Sequence, residues 1–107
     1  MALETALGFT RRLIEVAGQE KKIKTISLNV LDGVVVKARF KLNDKFIDVF
    51  YNSQTGTTAY SLIVGGKRIF GADNTGGWHI HPKDKPSSHK KCKSVSFEDF
   101  LEKALEN

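Results

Sequence analysis

The chain has 107 residues, of which 40% are hydrophobic and 27% charged, and its formal net charge is +5. This composition indicates one globular domain over residues 1–107 and excludes a disordered chain. The single cysteine excludes an internal disulfide framework, and no apolar run approaches the roughly 20 residues of a membrane span. Charged residues interrupt the N-terminal apolar positions, which argues against a signal peptide. We therefore expect a soluble cytoplasmic protein.

Residues 3–17 are predicted to form an amphipathic helix that ends near Gly18. Apolar side chains recur there at helical spacing, and charged side chains fall between them. The face expected to pack on the core comprises Leu3, Ala6, Leu7, Thr10, Leu13, Ile14 and Ala17.

An antiparallel meander of five or six strands is predicted to follow, and its first turn depends on register. A two-residue turn would place Lys37 and Arg39 on the apolar face of the hairpin. A three-residue loop over 31–33 instead pairs Val30 with Val34 and keeps one face apolar. The sequence therefore predicts a type I turn in which the last loop residue, a glycine, adopts the left-handed conformation.

The second turn is predicted to be a two-residue loop at 43–44, which continues the apolar phase of the hairpin. This register places Asp48 opposite Arg39, a favourable cross-strand pair, on the second face of the sheet. Phe46 and Phe50 lie on the same second face. Exposed aromatic side chains and free hairpin edges are typical of surfaces that bind partners.

The C-terminal part is predicted to contain a hairpin at 65–66, a loop over 72–77 and a short strand over 78–81. A final helix spans 97–105, with Ser96 as its N-cap. Its apolar face comprises Phe97, Phe100, Leu101, Ala104 and Leu105. The predicted fold is α+β, with an N-terminal helix, the antiparallel meander and a short C-terminal helix packed on the sheet.

Residues 83–93 are predicted to form a basic loop. Only Asp84 opposes its five lysines, which are Lys83, Lys85, Lys90, Lys91 and Lys93. Such a segment favours phosphate backbones or acidic partners, and it is also typical of a solvated surface loop. Because lysine rather than arginine dominates, base-specific bidentate contacts are disfavoured.

His79 and His81 are two positions apart on the short predicted strand, so both imidazoles lie on one face of the sheet. Trp78 and Ile80 then point to the opposite, core face. One interpretation is a general acid and base that cleave RNA without a metal, assisted by a cation such as Arg68.

In this acid–base site, the catalytic residues would be His79, His81, Asp73 and Arg68. Asp73 would orient a histidine tautomer. A simpler interpretation of the 73–77 segment is an ordinary turn stabilised by side-chain hydrogen bonds and glycine flexibility. The lysines of the basic loop would bind the phosphates.

Two other interpretations stay open. In one, zinc is bound by four nitrogen and sulfur ligands, His79, His81, His89 and Cys92. In the other, the histidines are ordinary surface or hydrogen-bonding residues. No cofactor is favoured by the acid–base interpretation, and zinc is the alternative.

The second half of the chain resembles TumE-type toxins of type II toxin–antitoxin pairs. The resemblance rests on the segments from Lys67 to Asn74, from Trp78 to Pro82 and from Ser96 to Leu101. A neighbouring archaeal family of unassigned function is similar. The resemblance implies a small cytoplasmic toxin with ribonuclease activity, which an antitoxin protein neutralises. The alternative function is a protein-interaction or homodimerisation module. RNA, an antitoxin and a second copy are the partners under consideration, and a membrane is not.

Overall fold

The computed structural model describes residues 3–82 and 90–106. Its elements are α1 (Ala6–Gln19), β1 (Ile23–Leu31), β2 (Val35–Leu42), β3 (Lys45–Asn52), β4 (Thr58–Val64), β5 (Lys67–Asp73), β6 (His79–His81), β7 (Lys90–Lys91) and α2 (Phe97–Leu105). The strands form one antiparallel sheet in the order β1 to β7. The predicted α+β fold is confirmed, and β7 is an additional short strand taken from the predicted basic loop. Within the described ranges, no helix has the length and apolarity needed to cross a membrane.

The register of the first hairpin differs from the prediction. Val30 pairs with Val36 rather than with Val34, so the register is shifted by two residues. Asp32 and Gly33 both have positive φ, 53° and 66°, whereas the prediction placed only the glycine in this region. The Val34 N–H donates to the Leu31 carbonyl at 3.0 Å, which closes the turn before pairing resumes. Because side chains alternate with a period of two, the shift leaves Leu28 and Val30 on their predicted face. A bulge between Thr25 and Ser27 reverses the alternation at the start of β1, so Ile23 is buried and Ile26 is exposed.

The second hairpin confirms its predicted register. Leu42 pairs with Lys45 across the two-residue loop, and Arg39 pairs with Asp48. The Arg39 guanidinium donates to both carboxylate oxygens of Asp48, at 2.7 and 2.8 Å. Asn43, the first loop residue, has a φ of 57°, a conformation that asparagine tolerates better than most residues.

The packing face of α1 overlaps the predicted one but is rotated from it, since Ala6, Thr10 and Leu13 are buried as predicted. Leu7 and Ile14 are 60% and 56% exposed, whereas Phe9, which the pattern did not select, is buried. The Phe9 ring stacks on Tyr51 with a centroid distance of 4.3 Å. The Tyr51 hydroxyl donates to the Glu4 carbonyl at 2.6 Å and so holds the start of the helix. These tertiary contacts rotate the helix about its axis and leave Leu7 and Ile14 in solvent.

Both helices pack on one face of the sheet, α1 over β1 to β3 and α2 over β4. α2 begins with its predicted N-cap, Ser96, within a capping box: the Ser96 side chain accepts from Asp99 N–H, and the Asp99 carboxylate accepts from Ser96 N–H. Phe100 stacks on Tyr60 and on Phe70, each at 5.3 Å between centroids. In the part of the chain that the structure describes, neither helix covers the opposite face, which we call the open face.

Candidate functional site

A cluster of three side chains lies on the open face at the β5–β6 end of the sheet. Asp73 pairs with His79, and Gly71 pairs with His81. The intervening residues Ala72 and Ile80 pair with each other and point to the core. The prediction that His79 and His81 share one face is therefore confirmed. We call Asp73, His79 and His81 the His–Asp cluster.

One carboxylate connects the two imidazoles. The Nε2 atom of His79 lies 3.2 Å from Oδ1 of Asp73, and the Nε2 atom of His81 lies 2.9 Å from Oδ2. The ring centroids are 5.0 Å apart and the rings are nearly perpendicular, at 78°. The side chains are 14% (His79), 5% (His81) and 18% (Asp73) exposed. Most of the cluster is thus shielded from solvent.

The turn before β6 positions these side chains. The Thr75 N–H donates to Asp73 Oδ1 at 3.0 Å, and the Gly77 carbonyl oxygen lies 3.0 Å from His79 Nδ1. Asn74 anchors the turn, because its Oδ1 accepts from Thr58 N–H and its Nδ2 donates to the Gly56 carbonyl, each at 2.8 Å. The 73–77 segment is therefore a turn stabilised by side-chain hydrogen bonds, and this turn also fixes the geometry of the His–Asp cluster.

Opposing effects determine the pKa of Asp73. Burial acts to raise this pKa, but the hydrogen bond with His81, the Thr75 N–H and the charges of the two histidines together outweigh burial. The pKa of Asp73 is therefore lowered from its ordinary value. The carboxylate consequently stays ionised at neutral pH, and its two oxygens can accept hydrogen bonds.

Arg68 lies beside the cluster for a reason that the sequence pattern did not reveal. On β5 it pairs with Ile63, and an irregularity in the ladder follows this pair. The Arg68 Cδ atom lies 3.0 Å from the position that a Cβ on Gly71 would occupy. Since Gly71 pairs with His81, the arginine side chain passes over the open face next to that histidine. The one sequence feature that could have indicated this position of Arg68 is Gly71, a glycine inside a strand, where a residue with a side chain is usual.

The predicted basic residues are only partly brought to this site. Lys91 pairs with His79, so it extends the row of the cluster, whereas Lys90 pairs with Ile80. Lys93 is exposed after β7. Lys83, Lys85 and His89 lie outside the described residues.

Cys92 is aligned with the core-facing side of β6. Its N–H donates to the Trp78 carbonyl at 3.1 Å, and Trp78 packs against the core, as predicted. Of the four residues predicted to bind zinc, His79 and His81 lie together. Among the described side chains, the group whose ligand atoms lie within 4.8 Å of one another contains Asp73 with the two histidines and does not include Cys92.

The open face continues from the cluster as a basic and aromatic surface. One continuous row of paired residues crosses the sheet on this face, and we call it the central row. It consists of Lys37, Phe50, Ala59, Asp73, His79 and Lys91. A groove of about 400 Å³ lies over β1 to β4, and its lining includes Lys37, Arg39 and Phe50. Among the described residues, the register places six basic side chains on this face: Lys24, Lys37, Arg39, Lys41, Arg68 and Lys91.

No family model, curated protein or solved structure matches this chain significantly. The resemblance to TumE-type toxins consequently stays a prediction.

Proposed function

We propose that the protein binds single-stranded RNA along its open face and brings the strand to the His–Asp cluster. The central row supports this proposal best. It aligns a lysine and an aromatic ring with the cluster, on the face of the sheet that neither helix covers. A sheet that displays aromatic and basic side chains on an uncovered face can stack bases and hold phosphates.

The groove supports a single strand rather than a duplex. Phe50 is half-buried in the groove, and it lies beside the exposed Lys37 across the strand pair. Stacking on Phe50 requires an unpaired base, since the bases of a duplex already stack on one another. Arg39 is engaged by Asp48 and lies 5.1 Å from the Phe46 ring centroid. We therefore assign phosphate binding to Lys37 in preference to Arg39.

Metal-free RNA cleavage by His79 and His81 is the chemical step that the sequence predicts for this surface. It needs one ring nitrogen to accept the 2′-hydroxyl proton and another to protonate the leaving oxygen. In the structure, both Nε2 atoms are directed at Asp73, and His79 Nδ1 is directed at Gly77. Catalysis of this kind requires a ring to turn away from Asp73, so the geometry supports RNA binding more strongly than cleavage.

Binding is tested with a fluorescent single-stranded RNA of about eight nucleotides, a length within the usual range for such surfaces. We expect Phe50→Ala to weaken the affinity roughly tenfold, since one stacked base contributes about 1–3 kcal/mol. Lys37→Ala should weaken it severalfold. Lys21→Ala, an exposed lysine before β1, is the matched control. Equal affinity of Phe50→Ala and Lys21→Ala would reject the groove as the binding site.

Cleavage is tested separately with the same RNA in the presence of a chelator. The acid–base hypothesis expects cleavage by the native protein and its loss in the His79→Ala, His81→Ala double variant. Circular dichroism of the variant checks that the fold is retained. Cleavage at the native rate by the folded double variant excludes these histidines as the acid and base.

The toxin interpretation adds a cytoplasmic location and a protein partner to this proposal. A cytoplasmic location agrees with the single cysteine and gives access to RNA. An antitoxin would neutralise the protein most simply by covering the basic open face with acidic groups. Arrest of growth on expression, relieved by Phe50→Ala, would support this interpretation, whereas unchanged growth would count against it.

A second candidate function is homodimerisation through the β1 edge of the sheet. β1 is an edge strand, and the large exposed apolar side chains of the described residues lie on β1, on α1 or just before α1. They are Leu3, Leu7, Ile14, Ile26, Val30 and Leu31. Light scattering after size-exclusion chromatography tests this alternative. A dimer that Val30→Lys converts to a monomer supports it, and a monomeric native protein excludes it.

A further inference from the structure

We propose that the His–Asp cluster is a binding site for one divalent transition-metal ion, with zinc as the preferred ion. The ligands are Nε2 of His79, Nε2 of His81 and the carboxylate of Asp73. The inference is independent of RNA binding, and it replaces the sulfur-containing ligand set with a carboxylate.

The spacing of the three groups fits a metal ion. Bonds of about 2.1 Å in tetrahedral geometry separate neighbouring ligand atoms by about 3.4 Å. The Nε2 atoms of His79 and His81 lie 3.2 and 2.9 Å from the Asp73 oxygens, and the three ligand atoms are all within 4.8 Å of one another. Small side-chain rotations are therefore sufficient to place one ion between them.

The second nitrogen of His79 gives an independent argument. Nδ1 faces the Gly77 carbonyl at 3.0 Å, and a carbonyl oxygen only accepts hydrogen bonds. Nδ1 therefore carries a hydrogen, which leaves Nε2 as the nitrogen that can bind a metal ion. A backbone carbonyl that fixes the outer nitrogen is also the usual support of a metal-binding histidine.

The surroundings hold the ligands in place before an ion arrives. Thr75 N–H fixes one Asp73 oxygen, and Asn74 anchors the turn to β4 and to Gly56. The low exposure of the three side chains limits competition from water. Preorganisation of this kind reduces the entropy lost on binding.

The ligand chemistry selects the type of ion. Two imidazoles and one carboxylate suit zinc or a related transition metal, whereas magnesium and calcium prefer oxygen ligands. Arg68 and Lys91 lie nearby and oppose a dication, so we expect a weaker site than a structural zinc finger. Three protein ligands leave a fourth position for water or a phosphate oxygen.

The test uses untagged protein that has been treated with a chelator and then titrated with Zn²⁺ in a calorimeter. We expect one equivalent to bind and the melting temperature to rise, with the rise reversed by chelator. Asp73→Asn and His79→Gln should each weaken binding at least tenfold. Cys92→Ser is the matched control and should bind as the native protein does.

Co²⁺ provides a spectroscopic readout of the same ligands. A nitrogen and oxygen site gives visible bands without an intense sulfur charge-transfer band. Such a spectrum in native protein, unchanged in Cys92→Ser and lost in His79→Gln, supports the assignment. Absence of Zn²⁺ binding by native protein, or its loss in Cys92→Ser, overturns it. RNA affinity measured in chelator is the separate readout, so either proposal can fail while the other stands.

Discussion

Gly71 illustrates how one missing side chain shapes this site. An added Cβ would lie 3.0 Å from both the Arg68 Cδ atom and the Tyr60 carbonyl oxygen. The arginine can move, but the carbonyl belongs to the paired strand β4 and has little freedom. Gly71 therefore permits both close strand packing and the position of Arg68 beside His81.

We expect Gly71→Ala to destabilise the protein by about 1–3 kcal/mol, because overpacking forces the backbone to shift. Gly18→Ala is the control, since nothing lies within 4 Å of an added Cβ there and alanine is the better helix former. The control should stabilise the protein by about 0.5–1 kcal/mol. Urea unfolding measures both effects, and an unchanged stability of Gly71→Ala would refute the packing argument.

The two tyrosines are expected to lower the stability of the protein at alkaline pH. Burial is the main cause that raises the pKa of Tyr60 and of Tyr51 above the ordinary value. Since the folded protein disfavours the phenolate, this contribution to stability is complete below the unfolded pKa of about 10 and is lost as the pH rises above it.

We therefore expect phenolate absorbance and loss of circular dichroism to appear together as the pH rises. In Tyr60→Phe, the absorbance change should be halved, since the chain has two tyrosines. Ionisation of both tyrosines with a midpoint near pH 10, while the fold is intact, would contradict the burial of these groups.

At the scale of elements, the capping box determines how α2 begins. The Ser96 and Asp99 side chains each accept from the other residue's backbone N–H, at 3.1 Å in both cases. The cap fixes the first turn, which carries Phe97 and Phe100 into the core.

Ser96→Ala should cost about 1 kcal/mol of unfolding free energy, whereas Ser96→Asp should retain most of the stability, because aspartate is an equivalent N-cap. Ser94→Ala, at an exposed position before the cap, is the control. Chemical unfolding followed by circular dichroism separates the three variants. If Ser96→Ala and Ser94→Ala are equally stable, the cap contributes nothing measurable.

The sequence predicted local features better than contacts between distant elements. Alternation predicted the sheet faces, including the shared face of His79 and His81, because side-chain direction depends only on the strand itself. The helix face was wrong where Phe9 met Tyr51, since that contact joins elements far apart in the chain. The position of Arg68 over Gly71 likewise depends on an irregularity between β4 and β5 that periodicity does not reveal.

At the scale of the whole molecule, the basic side chains of the open face set the salt dependence of RNA binding. Each phosphate contact on a single strand contributes about −0.7 to the slope of log affinity against log salt concentration. If all six basic residues described on that face contact phosphates, they contribute about −4 to the slope.

Lys37→Ala should reduce the magnitude of this slope by about 0.7, whereas Lys21→Ala should leave it unchanged. Binding isotherms at several salt concentrations provide the measurement. A slope near zero in the native protein would show that the basic face makes no phosphate contacts.

The strand order repeats the chain order from β1 to β7, and this has a consequence for how the molecule folds. Each strand pairs with one that has just preceded it, so no pairing has to wait for a distant segment. Proteins with such local contacts fold quickly for their size, because little loop entropy is lost before each contact forms. The sheet can therefore grow hairpin by hairpin during synthesis, with the β5–β6 hairpin forming after the sheet that receives it.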